Sequence, residues 1–145
     1  MFRISESVVR VEYEDCDIAG HLYHPNYLNY CERARSSTIA DRGLPFKFWL
    51  KNGIALAIIR IECQFLAPAF LYDQIHIYTS WDPPRIEGKS MKVKQFFFKQ
   101  KIEDYQNIDL SCLDSRLAQF ELILVCIDKK DGKSIPFPDE VKKYL

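Results

Sequence analysis

The chain has 145 residues, of which 48% are hydrophobic and 14% aromatic, and its 20 basic and 20 acidic side chains cancel to a formal net charge of zero. This length fits one hydrophobic core, and we expect a single domain over residues 1–145. The balanced charge disfavours proteins that depend on a strongly basic surface, such as general nucleic-acid binders or proteins held on anionic membranes.

The sequence shows no feature of export, of a membrane anchor or of a disulfide framework. Its N-terminal segment lacks a basic stretch followed by an apolar core, and no run of about 18 apolar residues occurs. The cysteines are odd in number, scattered and never spaced as C-x-x-C, which argues against paired disulfides and against a thiolate zinc site. We therefore expect a cytoplasmic protein with reduced thiols at Cys16, Cys31, Cys63, Cys112 and Cys126.

The first predicted element is a strand over residues 8–14, where apolar and charged side chains alternate as on a half-buried strand. From Pro25 the apolar spacing becomes helical, and Gly43 suits the position just after a helix end. The pattern predicts one long helix over residues 25–42, followed by a short helical or irregular piece over residues 44–52 that packs over the core. The helical stripe consists of Tyr27, Cys31, Ala34 and Thr38.

Four further strands are predicted after the helices. Period-two alternation marks residues 59–65, until Pro68 interrupts the ladder, and residues 75–81. Residues 90–102 are rich in aromatic side chains and change their apolar face partway, which predicts a bulge, while residues 117–128 are apolar on both faces and predict a central strand. The connection over residues 103–116 is longer than an ordinary hairpin loop. The tail from Lys129 is predicted to be surface turn and irregular chain.

This order of one strand, one long helix and four more strands predicts an α+β fold. In it, an antiparallel sheet buries one face against the single helix. A twisted sheet of this size leaves an edge and an outer face to be covered, and association of two chains is a simple way to cover them.

The sequence lacks several common catalytic motifs. Its five glycines are too dispersed for a Walker loop, a G-x-G-x-x-G turn or a G-x-S-x-G nucleophile elbow. A basic run around an aromatic-rich strand superficially resembles a nucleic-acid surface, and it consists of Lys89, Lys92, Lys94, Lys99 and Lys101. A solvated strand face is the favoured interpretation of these lysines, ahead of a site for a phosphate-bearing small ligand and of nucleic acid.

The stretch over residues 13–35, YEDCDIAGHLYHPNYLNYCERAR, combines acidic, glycine and histidine residues with a helix start. A carboxylate just before a helix N-terminus lies near the positive end of the dipole, where unpaired N–H groups can also bind a substrate oxygen. Asp17 and the first helical turn could thus act on one ester or thioester carbonyl. A thioester suits this equipment, because a thiol of pKa about 8.5 leaves without a strong general acid. His24 could position water or supply a proton.

Local chemistry alone leaves two other interpretations of this loop open. Asp15 or Asp17 can form turn hydrogen bonds, with Gly20 supplying a positive φ and His24 capping the helix. The two aspartates can also be combined with His21 and His24 as metal ligands. Their spacing matches no zinc pattern, so we expect no metal.

Four segments of this stretch carry a family resemblance. They are YEDCD at residues 13–17, Gly20, YHPNY at residues 23–27 and CERAR at residues 31–35. Together they resemble the acyl-CoA thioesterases of the 4-hydroxybenzoyl-CoA thioesterase family, and especially its YbgC-like branch. The resemblance implies the hotdog fold, an α+β fold in which an antiparallel sheet of five to six strands wraps one long helix.

The same resemblance implies hydrolysis of an acyl-CoA thioester to free acid and coenzyme A, with short-chain aliphatic and aromatic acyl groups both open. No cofactor is implied, because coenzyme A is part of the substrate. Members form homodimers or homotetramers with each active site at a subunit interface. The alternative is a non-catalytic protein of this fold that binds acyl-CoA or an acyl-carrier protein.

Residue roles follow from the resemblance position by position. Asp17 matches the catalytic nucleophile or general base, with His24 and Tyr13 beside it, and the helix start at residues 24–26 matches the backbone that binds the oxyanion. The implied substrate-binding residues, which shape the loop and pocket or meet the nucleotide phosphates, are Gly20, Tyr23, Asn26, Tyr27, Arg85 and Lys89. Two departures bear on the substrate: His21 stands where the family has an apolar residue, and the 103–116 connection is longer than usual.

Overall fold

A computed structural model describes residues 4–82 and 88–145 of the chain. No helix in these ranges is long and apolar enough to cross a membrane. The helices and strands, in chain order, are β1 (Ile4–Arg10), α1 (His24–Asp41), α2 (Phe46–Asn52), β2 (Ile54–Phe65), β3 (Gln74–Trp81), β4 (Ser90–Phe98), β5 (Arg116–Asp128), β6 (Ser134–Ile135) and α3 (Asp139–Tyr144). Short 3₁₀ turns lie at Tyr13–Asp15 and Leu110–Cys112.

The strands of the described ranges form one antiparallel sheet in the order β1-β3-β4-β5-β2, with β6 pairing the end of β5. Strand β5 pairs along most of its length with β4 on one side and β2 on the other. This arrangement confirms the predicted central strand. Together with α1 it confirms the α+β class and the hotdog fold that the family resemblance implies.

Helix α1 packs on one face of the sheet, which we call the inner face. The predicted apolar stripe makes this contact, because Tyr27, Cys31 and Ala34 are all at most 3% exposed. They join one core cluster with Phe97 of β4 and Phe120 of β5. The helix begins at His24 and ends at Asp41, so its predicted bounds are correct to one residue at each end.

The opposite, outer face of the sheet is covered by residues 99–115, which we call the outer cover. Leu110 of the cover is buried against Tyr78 and Phe96 of the sheet. The ring of Tyr105 lies 4.9 Å from that of Tyr78, measured between centroids. The long connection noted in the sequence therefore covers the outer face of the sheet with a few apolar side chains.

Three predicted strands differ from the structure. The first strand is at Ile4–Arg10 and not at residues 8–14, because the Asp15 carboxylate accepts a hydrogen bond from the N–H of Glu12 (3.2 Å) and closes a 3₁₀ turn there. Strand β2 begins five residues earlier than predicted, since a register shift between Ile58 and Arg60 interrupts its alternation. Strand β4 ends at Phe98, and not at residue 102. Its changing apolar face reflects burial on both faces of the sheet, because the register shift comes only at its end, between Phe97 and Phe98.

The tail is more ordered than the predicted irregular chain. It contains β6 and α3, and Phe137 (2% exposed) and Val141 (0% exposed) are buried in a second core cluster. This cluster also contains Trp49 of α2, which confirms that the predicted short piece packs over the core. Pro136 and Pro138 led to the prediction of irregular chain, because proline is typical of turns.

Candidate active site

The loop between β1 and α1 holds Asp17 by its own backbone. The Oδ1 atom of Asp17 accepts hydrogen bonds from the N–H groups of Ala19 (2.9 Å) and His21 (3.0 Å). The N–H of Asp17 donates in turn to the carbonyl of His21 at 2.8 Å. Its Oδ2 atom has no hydrogen-bond partner among residues 4–82 and 88–145. One carboxylate oxygen is therefore held by the loop backbone, while the other has no partner in this part of the chain.

Gly20 gives this loop its shape. Its φ is +80°, in the left-handed region that favours glycine, and its N–H donates to the carbonyl of Asp17 at 3.0 Å. A Cβ built on Gly20 would have no other atom within 4 Å, so the backbone angle and not crowding requires glycine. The Gly20 carbonyl accepts a hydrogen bond from the N–H of Leu71 (3.1 Å), which ties the loop to the chain before β3.

The start of α1 offers one free backbone donor. Pro25 has no N–H, and the N–H of Asn26 donates to the carbonyl of Tyr23 at 2.9 Å. The N–H of Tyr23 is taken by the carbonyl of Asp15 at 2.9 Å. The N–H of His24 has no acceptor within the described ranges, and it lies at the positive end of the helix dipole. Among residues 24–26, His24 is therefore the one whose N–H stays available for the predicted oxyanion site.

A cleft of about 300 Å³ joins Asp17 to this helix start. Its lining includes His21 and His24, together with residues 66–68. The apolar floor is Tyr27, which is 3% exposed, and Phe65, whose ring centroid lies 5.1 Å from that of Tyr27. Burial raises the pKa of the Tyr27 phenol, which keeps this wall uncharged at neutral pH.

The structure brings some of the predicted residues to the cleft and not others. Asp17, His24 and Tyr27 line it directly. Tyr23 is 46% exposed, with its ring centroid 5.0 Å from that of His24. Tyr13 is 80% exposed in the 3₁₀ turn and is not part of the lining.

Two further predicted residues, Asn26 and Lys89, are not part of the cleft lining. The Nδ2 of Asn26 donates to the carbonyl of Asp15 at 3.0 Å, so this amide supports the loop backbone. Lys89 is exposed in a bend just before β4, outside the cleft lining. Arg85 lies outside the described residues.

Sequence reasoning missed two parts of this region. The first is Phe65, whose place in an alternating strand indicated burial but gave no sign of a site. The second is the hydrogen bond from the Tyr30 hydroxyl to the Asp15 carboxylate, at 2.6 Å. Tyr30 does not belong to the predicted apolar stripe, and no local pattern indicated that its hydroxyl would reach back to the loop.

Part of the structural interpretation of the loop is confirmed, because Asp15 and Asp17 do form turn hydrogen bonds and Gly20 does have a positive φ. In the described part of the chain, no group of three His, Cys, Asp or Glu side chains is arranged to hold a metal ion. Two lysines of the supposed nucleic-acid surface form ion pairs, Lys92 with Glu121 at 3.1 Å and Lys99 with Asp73 at 3.2 Å. These pairs favour a solvated, charge-balanced surface.

Comparisons with known proteins converge on one family. The sequence profile of the thioesterase-like superfamily matches residues 11–145. The acyl-CoA thioester hydrolase YbgC of Escherichia coli is 28% identical over 133 residues, covering 92% of this chain and 89% of that protein. A 1,4-dihydroxy-2-naphthoyl-CoA hydrolase of Microcystis aeruginosa is 28% identical over 132 residues, covering 90% of this chain and 85% of that protein.

Solved structures share the fold at lower sequence identity. The Staphylococcus aureus protein SAV2348, determined in complex with CoA, has a TM-score of 0.79 and 15% identity. The superposition covers 99% of this chain and 82% of that one. These matches include the loop that carries Asp17 and all of α1.

Proposed function

The chain belongs to the thioesterase-like superfamily, and we propose that it is an acyl-CoA thioester hydrolase whose chemistry is carried by Asp17 and the start of α1. The observation that carries the proposal is the Asp17 carboxylate, with one oxygen held by two backbone N–H groups and the other unpaired, in a cleft that His24, with its unpaired N–H, also lines. This arrangement provides a carboxylate and an electrophilic donor for one carbonyl. The named relatives act on acyl-CoA thioesters, which agrees with this chemistry.

Two routes are open to Asp17, and both begin with the thioester carbonyl oxygen accepting from the N–H of His24. As a general base, the carboxylate takes a proton from water, the water oxygen bonds to the carbonyl carbon, and the C–S bond then breaks. As a nucleophile, Asp17 bonds to the carbonyl carbon and expels the thiolate, and water then hydrolyses the acyl–aspartate anhydride. Either route gives one free acid and one coenzyme A thiol.

A thioester suits the limited set of groups in this cleft. The departing thiolate corresponds to a thiol of pKa about 8.5, so expulsion needs little help from an acid. His24 lines the cleft and is exposed, which suits a role in positioning water or delivering a proton. The backbone donor is expected to contribute much of the rate enhancement, because losing one oxyanion donor typically costs about 10²- to 10³-fold in rate.

The acyl group is proposed to be short-chain aliphatic or aromatic. The cleft of about 300 Å³ is small, and its floor consists of aromatic rings that can pack against either kind of group. The nucleotide phosphates are proposed to meet Lys89 and Arg85, so that Lys89→Ala would raise KM for acyl-CoA with little change in kcat. The cytoplasmic location stays a prediction.

A homo-oligomer with its active sites at the subunit interface completes the proposal. Strand β2 ends the sheet, and its outer edge has no strand partner in the described ranges. Apolar side chains on β2 are exposed: Ile58 by 39%, Ile59 by 63%, Ile61 by 39% and Phe65 by 48%. Phe65 belongs both to this edge and to the cleft, so a partner on β2 would complete the pocket.

Sedimentation should show a dimer or tetramer, and Ile59→Asp should shift the population toward monomer. A monomeric wild type would contradict this part of the proposal.

A thiol-release screen tests the function. The protein is incubated with acetyl-, butyryl-, hexanoyl-, benzoyl- and hydroxybenzoyl-CoA, and free thiol is followed with a chromogenic disulfide. We expect catalytic release from at least one of these substrates and almost none with Asp17→Asn. Binding of acyl-CoA without any release by the wild type would instead support the non-catalytic binding protein.

A further inference from the structure

Asp15 joins more parts of the catalytic loop than any role in a simple turn requires. Its carboxylate Oδ2 accepts from the N–H of Glu12 (3.2 Å) and from the hydroxyl of Tyr30 (2.6 Å). Its carbonyl accepts from the N–H of Tyr23 (2.9 Å) and from the amide of Asn26 (3.0 Å). One residue thus connects the end of the first strand, the segment before the helix and the body of the helix.

The hydroxyl of Tyr30 is the only one of these donors that lies deep in α1. Tyr30 is 2% exposed, so its ring is fixed in the core on the inner face of the sheet. Burial and the bond to Asp15 raise the pKa of the phenol, so it remains a protonated donor across the neutral range. The guanidinium of Arg33 lies 5.7 Å above the same ring, measured from Cζ to the ring centroid.

Asp17 and the His24 N–H depend on the two chain segments that this bond connects. Asp17 follows Asp15 by two residues in the loop, while His24 begins the helix that carries Tyr30. The other loop bonds of Asp17 are local, reaching only to residues 19–21. The separation between the carboxylate and the helix donor therefore depends on contacts between loop and helix, together with the bonds that tie residues 20–22 to the chain before β3.

From this geometry we infer that Asp15 and Tyr30 form a positioning pair, whose hydrogen bond sets the Asp17 carboxylate against the start of α1 during thioester hydrolysis. The inference rests on the proposed function. Neither residue lines the cleft, so neither is assigned contact with the substrate. A misplacement of about 1 Å at a reacting group can cost on the order of 10²-fold in rate, which is the scale of effect open to such a pair.

A second tyrosine–carboxylate pair, on the outer face of the sheet, serves as a control for this one. The hydroxyl of Tyr78 donates to the carboxylate of Glu6 at 2.6 Å, and Tyr78 is 0% exposed. Burial and the carboxylate raise the pKa of this phenol as well. Tyr78 packs under the outer cover, in a cluster separate from the one that contains Tyr30. Tyr30→Phe and Tyr78→Phe therefore each remove a bond from a buried tyrosine to a carboxylate, one on each face of the sheet. Tyr78→Phe also removes the bond that this hydroxyl accepts from the N–H of Ile102 (2.8 Å), so it is the more severe of the two changes.

The experiment measures kcat and KM for thiol release, together with the thermal midpoint, in the full-length protein. We expect Tyr30→Phe and Asp15→Ala to lower kcat about tenfold or more while KM changes less than about threefold. Tyr78→Phe should lose at least as much thermal stability, because it removes two hydrogen bonds, and should keep the wild-type kcat. The shape of the pH profile of kcat should persist in Tyr30→Phe, because Tyr30 transfers no proton in the reaction.

Asp15→Asn separates positioning from charge. Both side-chain bonds end on one oxygen of Asp15, and the single oxygen of asparagine can accept both. This variant should recover most of the activity that Asp15→Ala loses. Equal kcat in Tyr30→Phe and Tyr78→Phe, or an Asp15→Asn variant as inactive as Asp15→Ala, would overturn the positioning role. A wild type that releases no thiol from any acyl-CoA would instead overturn the proposed function and the inference with it.

Discussion

The two faces of the sheet use similar hydrogen bonds for different ends. On the outer face, Asp109 closes the 3₁₀ turn of the cover, and both of its carboxylate oxygens are occupied, Oδ1 by Ser111 and Oδ2 by the thiol of Cys112 at 3.2 Å. On the inner side, Asp17 closes a similar turn with Oδ1 alone and leaves Oδ2 without a partner in the described ranges. The bonds of Asp109 use both of its oxygens to hold a turn, whereas Asp17 keeps one unpaired oxygen for the chemistry that we propose.

The two faces also differ in how far their arginine–glutamine pairs are buried. On the inner face, the guanidinium of Arg35 is 4% exposed and donates to the Gln95 side chain at 2.8 Å and to Glu32. On the outer face, the half-buried Arg116 donates to Gln119. The difference is access to water, which can replace a lost partner on the outer face but not in the core.

The largest expected change in stability comes from the anchor of the outer cover. Leu110 is 3% exposed, and Leu110→Ala should lower the free energy of unfolding by about 3 kcal/mol, because it leaves a cavity under the cover. Urea unfolding measures this loss, with Ile108→Ala, at a residue 37% exposed, as the control. The kcat/KM of Leu110→Ala should stay at the wild-type value. A matching loss of activity would break the division between a catalytic inner side and a structural outer face.

A smaller loss of stability is expected inside the core. Gln95→Leu removes the bond to the Arg35 guanidinium and should cost about 2 kcal/mol, because the buried charge keeps only its bond to Glu32. The change also removes the bonds from the Gln95 amide to the carbonyl of Cys31 (3.0 Å) and to Thr79 (3.1 Å). Gln119→Leu is the matched control and should cost clearly less in the same urea titration. Equal losses would show that burial does not distinguish the two pairs.

The smallest expected effect is a loss of local stability in the outer cover at low pH. Hydrogen bonds from Ser111 and Cys112 lower the pKa of Asp109 below its ordinary value. Because the folded pKa lies below the unfolded one, the stabilisation is present above the unfolded pKa and is lost as pH falls through the folded pKa. Protection of the amides in residues 109–113, expressed as the exchange rate relative to the intrinsic rate at each pH, should therefore decrease as pH falls below the ordinary aspartate pKa of 3.8, and Asp109→Asn should remove most of this change. An identical loss of protection in the variant would assign the effect to other carboxylates.

Local patterns were sufficient to predict the framework of the site. The stripe of Tyr27, Cys31 and Ala34 predicted α1 to within one residue at each end, because burial on one face of a helix leaves a periodic signal. The short motif before that helix predicted where Asp17 would lie, and the structure places it beside the helix start.

Contacts between distant segments could not be predicted in this way. The outer cover mixes single apolar residues such as Tyr105 and Leu110 with polar ones, so it shows no period, although both pack on the sheet. The bond between Asp15 and Tyr30 joins residues fifteen positions apart, and that between Glu6 and Tyr78 joins residues seventy-two apart. Such pairs depend on how elements pack together, which no local pattern contains.

The most direct test of the central claim compares two aspartates that close similar turns on opposite sides of the sheet. The kcat/KM for thiol release is measured for Asp17→Asn and Asp109→Asn, with circular dichroism to confirm that both variants are folded. The account predicts a loss of at least about 10²-fold in Asp17→Asn and none in Asp109→Asn, because only Asp17 has a free carboxylate oxygen in the cleft. A folded Asp17→Asn variant with wild-type activity would contradict the account.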